Sequence, residues 1–403
     1  MTDSDVYLFV YYILYTIVSI VGSKCRYLVV SVLCLAWHLI ITNRGHYHNI
    51  GGNSVKTGGA IRTLQGLSSA SLINEKWYGI YSSYWKGDLT YADTFTTSAC
   101  KGTGVFADRT SPMITTISRG QGCTKGSQYQ NVWMWLIHEL EAAITDCKAG
   151  TVGSHWDEAV AFYSGSITLT NPTTNIGQFQ YGLGEKKCAL FNTCTSTQSS
   201  LYKSGVNEKV FNLFASGRDL QASFQCSAME TTKESLVKLF TVPLLQGVIQ
   251  YLHQSKLLGE EKSKAELWSF AAAVLPLMNY YSPAAAKVLY DNSFILNVNT
   301  VPLGAAATKA AMEGAYLAMG ISCADVGGFV NVTRPGGYEP GLAPCSDARS
   351  IIGYVPSSNV LQNLRLDLDQ RNITKVGTPA TDLAAAYKAY SIGKKCVLIL
   401  HYD

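Results

Sequence analysis

The residues in this chain best suited to chemistry form two His-x-x-Glu signatures, His138-Glu139-Leu140-Glu141 and His155-Trp156-Asp157-Glu158. Residues three apart share a helix face, so each signature aims one imidazole and one carboxylate at a common point. That is how a helical protein holds a hard or borderline cation. The two signatures fit adjacent antiparallel helices joined by a loop at 148–154, in the spirit of the carboxylate bundles that hold two metals, with the residue order reversed. A zinc-protease helix is excluded, because His-Glu-Leu-Glu-Ala lacks the second His of that motif. Two simpler readings compete: His138 as a hydrogen-bonded core residue, and Asp157 and Glu158 as first-turn carboxylates behind an N-cap at Ser154.

Helical periodicity must position these groups. Val132, Trp133, Leu136, Ile137, Leu140 and Ile144 give the first helix an apolar stripe. Upstream, Tyr78, Tyr81, Tyr84, Trp85, Tyr91 and Phe95 suggest one helix with an aromatic face over 77–100, from which Tyr91 and Asp93 come within reach of a metal. The stretch 102–126 reads as a polar connection, and 167–226 as a loop-rich excursion with a hairpin candidate over 164–181. Helical periodicity returns over 232–258 and 262–281, in Ala-rich helices over 283–290 and 308–317, and over 382–395. Asp325 beside Gly327 and Gly328 reads as a turn residue. Glu158-x-x-x-Phe162 and Glu266-x-x-x-Phe270 near two helix starts suggest a weak internal duplication that keeps the scaffold and loses most of the ligands. The expected fold is therefore mainly α, with α+β as the alternative: a helical ectodomain of two related halves with disulfide-stapled loops behind an N-terminal membrane leader.

Composition narrows the function classes. The chain has 403 residues, 15% charged and 11% aromatic, with 24 Tyr, which predicts an aromatic-rich interior. A formal charge of +4 with no basic run argues against nucleic acid. Eleven Cys, none in Cys-x-x-Cys pairs, read as disulfides of an oxidising compartment. The candidates are Cys100, Cys123, Cys147, Cys188, Cys194, Cys226, Cys323 and Cys345; Cys188 with Cys194 and Cys323 with Cys345 are close enough to close short loops, while full connectivity stays open. Residues 1–44 hold two apolar runs around Lys24 and Arg26, the layout of a signal peptide or signal anchor. Val397 to Leu400 is too short to anchor a membrane, so attachment rests on that leader. Asn331-Val332-Thr333 and Asn372-Ile373-Thr374 are glycosylation tripeptides consistent with a secretory, glycoprotein route. The expected divisions are 1–44 leader, 45–230 first half, 231–375 second half, and 376–403 a tail or the start of a further repeat.

Several motifs, taken in order, carry a resemblance. They are His138-Glu-Leu-Glu-Ala-Ala143, His155-Trp-Asp-Glu-Ala-Val-Ala-Phe-Tyr-Ser-Gly-Ser166, Glu266 on a helix reaching Val274-Leu-Pro276, Gly320-Ile-Ser-Cys-Ala-Asp-Val-Gly-Gly328, and Gly353-Tyr-Val-Pro-Ser-Ser358 leading to Asp367-Leu-Asp-Gln370. Over roughly residues 45 to 375 the chain resembles the algal iron-assimilating proteins, a family that includes the iron-starvation-induced phytotransferrins. The resemblance implies a non-enzymatic protein at the cell surface or in the periplasm that captures Fe(III), with carbonate as synergistic anion. Delivery would follow through a membrane receptor or the endocytic machinery. No ligand assignment is carried over. From residue chemistry, Glu141, Asp157 and Glu158 are the expected oxygen donors, and His138 and His155 the imidazole donors or their orienters. Glu139, Tyr163, Asp93 and Glu266 are further ligands or supports. Acid should weaken binding, because the ligands take up protons. The alternatives are a metal-dependent enzyme with a His/carboxylate site, and a structural disulfide-rich wall or adhesion protein.

Overall fold

A computed structural model describes residues 54–55, 61–68, 70, 72–107, 114–166, 177–195, 201–297, 299–334 and 336–345, then 366–367, 369–371, 373–375 and 382–392. The leader, residues 167–176 of the hairpin candidate, Asn372 and Cys396 lie outside these. The chain divides into two compact units, Met1–Gly66 and Leu67–Asp403. In the first, the two-residue strands β1 (Ser54–Val55) and β2 (Ile61–Arg62) pair antiparallel, Ser54 opposite Arg62. Helix α1 (Leu64–Ser68) runs across the division.

The second unit is helical, as the periodicity predicts: α2 (Lys76–Tyr84), α3 (Tyr91–Lys101), α4 (Thr116–Gly126), α5 (Trp133–Lys148), α6 (His155–Ser164), α7 (Gln180–Phe191), α8 (Gly205–Ala222), α9 (Cys226–Leu258), α10 (Glu261–Tyr281), α11 (Pro283–Ser293), α12 (Ala305–Met319), the single turn α13 (Cys323–Val326) and α14 (Leu383–Ile392). Residues 230 and 231 both lie inside α9. Helix α9 is the axis of the unit, packing on α5, α7, α8, α10 and α12. By length and composition it would pass for a membrane span, but 78% of its apolar window is buried inside the protein. It packs closely on α10 because Gly247 leaves room: a Cβ there would stand 2.6 Å from the Phe270 ring. Gly217 does the same for α8 over Trp156.

The interior is aromatic, as composition predicts. Trp77, Trp133, Trp156, Tyr81, Tyr163, Tyr181, Phe240 and Phe270 are all buried. The α5 stripe of Trp133, Leu136, Ile137, Leu140 and Ile144 lies in that core, and burying each such side chain contributes about 1.5–3 kcal/mol before chain entropy is subtracted.

Three segments depart from the sequence reading. The aromatic stretch 77–100 is two helices, because Lys86 (φ +60°) and Gly87 (φ +80°) turn the chain through left-handed conformations between them. The supposed connection 102–126 contains α4. Its capping box, in which Thr115 and Ser118 satisfy each other's backbone N–H groups, replaces the apolar periodicity that would have announced it. The supposed excursion 167–226 contains α7 and α8. Helix α7 holds Glu185 and Lys187 inside the protein, so its burial leaves no clean apolar face to read.

Among the described residues four disulfides form: Cys100–Cys123, Cys147–Cys226, Cys188–Cys194 and Cys323–Cys345. They use all eight candidates, and both short loops close as expected. Cys147–Cys226 joins the end of α5 to the start of α9 across 79 residues, a closure that the chain-entropy view values at about 4 kcal/mol. It also sets two of the four segments that line the cleft described next.

Candidate cation-binding cleft

Four segments converge on a cleft of about 810 Å³. The approach to α2 supplies Asn74, Glu75 and Lys76; one face of α5 supplies His138, Glu141, Ala142, Thr145 and Asp146; α6 supplies His155; and the first turns of α9 supply Glu230, Lys233 and Glu234. The spacing is the helical one: 138, 141, 142 and 145 form one stripe on α5, and 230, 233 and 234 another on α9. Five carboxylates (Glu75, Glu141, Asp146, Glu230 and Glu234) face two lysines, Lys76 and Lys233, so the lining carries an excess of negative charge.

The two imidazoles are held alike. His138 Nδ1 lies 2.5 Å from Glu75 Oε1, and His155 Nδ1 lies 2.7 Å from Glu139 Oε2. A carboxylate accepts, so each Nδ1 donates, and it is Nε2 that carries the lone pair whenever the imidazole is neutral. No hydrogen bond to either Nε2 occurs among the described residues. Glu139 itself is 2% exposed, lies under His155 rather than in the cleft wall, and also accepts from Trp135 Nε1 at 2.7 Å. It is thus a buried orienting carboxylate, a kind of group usual behind metal-bound histidines. Burial pulls the His138 pKa down, but the hydrogen bond and charge of Glu75, with Glu139 and Glu141 behind it, outweigh this and leave it raised. The second oxygen of Glu75 is buried and has no hydrogen-bond partner among the described residues.

Glu141, Glu230 and Glu234 are shared with lysines. Lys233, its side chain 3% exposed, lies 2.5 Å from Glu141 and 3.4 Å from Glu234. Lys76 lies 3.1 Å from Glu234, and Lys148, from beyond the lining, lies 3.4 Å from Glu230. Among the described residues no three His, Cys, Asp or Glu side chains already converge as a metal cluster. An ion in the cleft would therefore have to draw carboxylates such as Glu141 away from their ammonium partners.

Of the expected ligands, the cleft brings together His138, Glu141 and His155, with Glu139 behind them. Asp157 and Glu158 do not line it: Asp157 is exposed on the first turn of α6, and Glu158 accepts from the Ser154 hydroxyl at 2.8 Å. Ser154 consequently makes no side-chain cap to α6. Asp93 accepts from Thr97 within α3 at 2.8 Å, and the Tyr91 ring is buried against Tyr78 and Tyr81. Tyr163 is wholly buried, donates to Asn207 Oδ1 at 2.6 Å, and is held well above the usual tyrosine range by burial, with the Glu185 charge and Tyr181 adding to it. It is no phenolate donor. Glu266 pairs with Lys125 at 2.8 Å between α10 and α4. Asp325 closes a capping box with Ser322 and pairs with Lys209 at 2.5 Å.

Sequence reasoning missed Glu75, Asp146, Glu230 and Glu234. Glu230 and Glu234 carried a signal, an i, i+4 carboxylate pair at a helix start, whereas Glu75 precedes a helix and only the tertiary fold brings it to His138. No family model matches the chain, and no curated protein or solved structure is found similar to it.

Proposed function

We propose that this protein captures ferric iron outside the cytoplasm, and that the cleft is where the ion is held. One observation carries the reading: two imidazoles with orienting carboxylates on Nδ1 and unpartnered Nε2 atoms share a cleft with five carboxylates. Fe(III) is a hard ion that takes carboxylate oxygen and tolerates imidazole. Calcium would favour an all-oxygen shell, and structural zinc a set of Cys and His. The ligands we assign are His138, His155 and Glu141, with Asp146 and Glu234 beside them and Glu75 behind His138 as its orienting carboxylate. The four disulfides support passage through an oxidising compartment. Attachment through residues 1–44, and delivery to a membrane receptor or the endocytic machinery, belong to the same proposal.

The lysines give carbonate a role. When the ion draws Glu141 away, the nearly buried Lys233 ammonium loses its close partner and keeps only Glu234 at 3.4 Å, a loss that is costly for a buried charge. A small dianion beside Lys233 restores the balance and offers the iron further oxygen. The anion requirement then follows from this chain's own charge arrangement. Acid reverses capture, since protons compete for both Nε2 atoms and for carbonate.

The test is ferric-iron binding with and without bicarbonate, in wild type and in Lys233→Met. Wild type should need bicarbonate, and the variant should bind without it. A wild type that binds no iron in either buffer would refute the capture reading, whereas a variant that still needs bicarbonate would remove only the role given to Lys233.

A further inference from the structure

The tripeptide Asn331-Val332-Thr333 sits on a short hairpin that the cleft does not use. Val330 bridges Tyr338, the Asn331 N–H donates to Gly337 O at 3.0 Å, the Arg334 N–H donates to Asn331 O at 3.1 Å, and Gly336 turns the tip at φ +73°. The base is fixed: Val330 N–H donates to Leu190 O, Phe329 is buried, and Cys323–Cys345 closes the segment around it. The tip, in contrast, faces water. Val332, Thr333 and Arg334 are exposed, and Val332, at 81%, has no apolar cover.

Within the tripeptide, Asn331 Oδ1 accepts from the Thr333 hydroxyl at 2.7 Å and from the Thr333 N–H at 2.9 Å. Both donors lie on the oxygen side of the carboxamide, which turns Nδ2 the other way, and no hydrogen bond to Nδ2 occurs among the described residues. The hydroxyl at the third position, which defines a glycosylation acceptor, is thus already bonded to the carboxamide it serves.

We propose that Asn331 is a site of N-linked glycosylation. The donor is an oligosaccharide on a lipid pyrophosphate, used by a membrane-bound transferase of the secretory pathway. The bond from Asn331 Nδ2 to the anomeric carbon of the sugar forms. The bond from that carbon to the pyrophosphate oxygen breaks, the lipid pyrophosphate leaves with the electron pair, and one amide proton passes to a base of the transferase. Nothing is oxidised or reduced. The folded tip leaves room for the product, since Val332, Thr333 and Arg334 around it are exposed. The inference rests on the secretory routing contained in the iron reading and on no residue of the cleft.

The experiment expresses the full chain in a eukaryotic secretory host as wild type, Asn331→Gln, Thr333→Ala and Thr333→Ser. Peptide N-glycosidase digestion in heavy-oxygen water then marks each glycosylated Asn as a labelled Asp. Wild type and Thr333→Ser should carry the label at position 331 and run one glycan heavier on a gel than Asn331→Gln and Thr333→Ala. An unlabelled position 331 as the main wild-type form overturns the proposal, whether Asn372 alone is labelled or the chain bears no glycan at all. Iron binding by Asn331→Gln, measured in parallel, keeps a failure here distinct from a failure of the cleft.

Discussion

The acidic cleft and the buried cluster around Glu266 use the same residue types to opposite ends. In the cleft, carboxylates outnumber lysines, and neither imidazole Nε2 has a hydrogen-bond partner among the described residues. In the cluster, Glu266 is held by Lys125 at 2.8 Å, and its charge together with burial holds the Tyr251 phenol well above the usual tyrosine range, burial being the larger cause. Tyr129 and Tyr251 stack on the Phe270 ring beside it, and the Lys187 ammonium lies 5.2 Å from both the Tyr251 and Phe270 rings. Burial pulls Lys187 down to about 7, with Glu266 opposing the shift and Lys125 and Lys186 adding to it. A carboxylate closed in by rings and lysines is architecture, and one on an open helix stripe beside imidazoles is available for a ligand.

Variants can break this contrast, and the largest expected effect is in the cluster. Glu266→Ala strands Lys125 in the interior and should cost roughly 3 kcal/mol of folding stability, read from denaturant unfolding, while the refolded protein keeps its iron affinity. A comparable loss of affinity would make Glu266 part of the site after all.

Glu139→Gln in the cleft should do the reverse. His155 keeps a hydrogen-bond partner but loses the charge behind it, and iron affinity should fall roughly 10- to 100-fold, the usual cost of losing such a support. Unfolding should change less than in Glu266→Ala. Unchanged affinity would reduce the Glu139–His155 contact to packing.

Lys187 gives a pH test with a definite sign. Its folded pKa of about 7 lies below the ordinary lysine value, so between pH 7 and 10 the unfolded chain binds the extra proton and stability rises with pH. The slope from this group reaches at most about 1.4 kcal/mol per pH unit. The destabilisation is fully present below pH 7. Lys187→Met should be more stable at pH 7 and show a flatter slope from 7 to 10; a parallel curve would mean that Lys187 is charged in the fold.

The smallest effect is expected from Asp157→Asn with Glu158→Gln. Stability should change by no more than about 0.5 kcal/mol, as for surface substitutions generally, and iron binding should be unchanged. Loss of binding would return the site to the second His-x-x-Glu signature.

The sequence showed part of this and hid the rest for physical reasons. Helical periodicity reveals α5, α9 and α10 because each has a long apolar pattern, first-turn carboxylates reveal α6, and close cysteines reveal two disulfides. His138, Glu141 and His155 were legible because i, i+3 spacing is local. Glu75 was not, since its partner is 63 residues away. Asp157 and Glu158 share the spacing of the cleft residues His138 and Glu141, but the first turn of α6 turns one to water and gives the other to Ser154. Spacing places a side chain on a helix; only packing decides which way that helix faces.

The most direct test of the cleft is a ferric-iron titration in bicarbonate at pH 7.4, comparing wild type with a variant carrying His138→Ala, Glu141→Ala and His155→Ala. Wild type should bind tightly and the variant not above background, with both chains equally folded by circular dichroism. Equal binding by the two would contradict it and make the cleft, like the Glu266 cluster, part of the architecture.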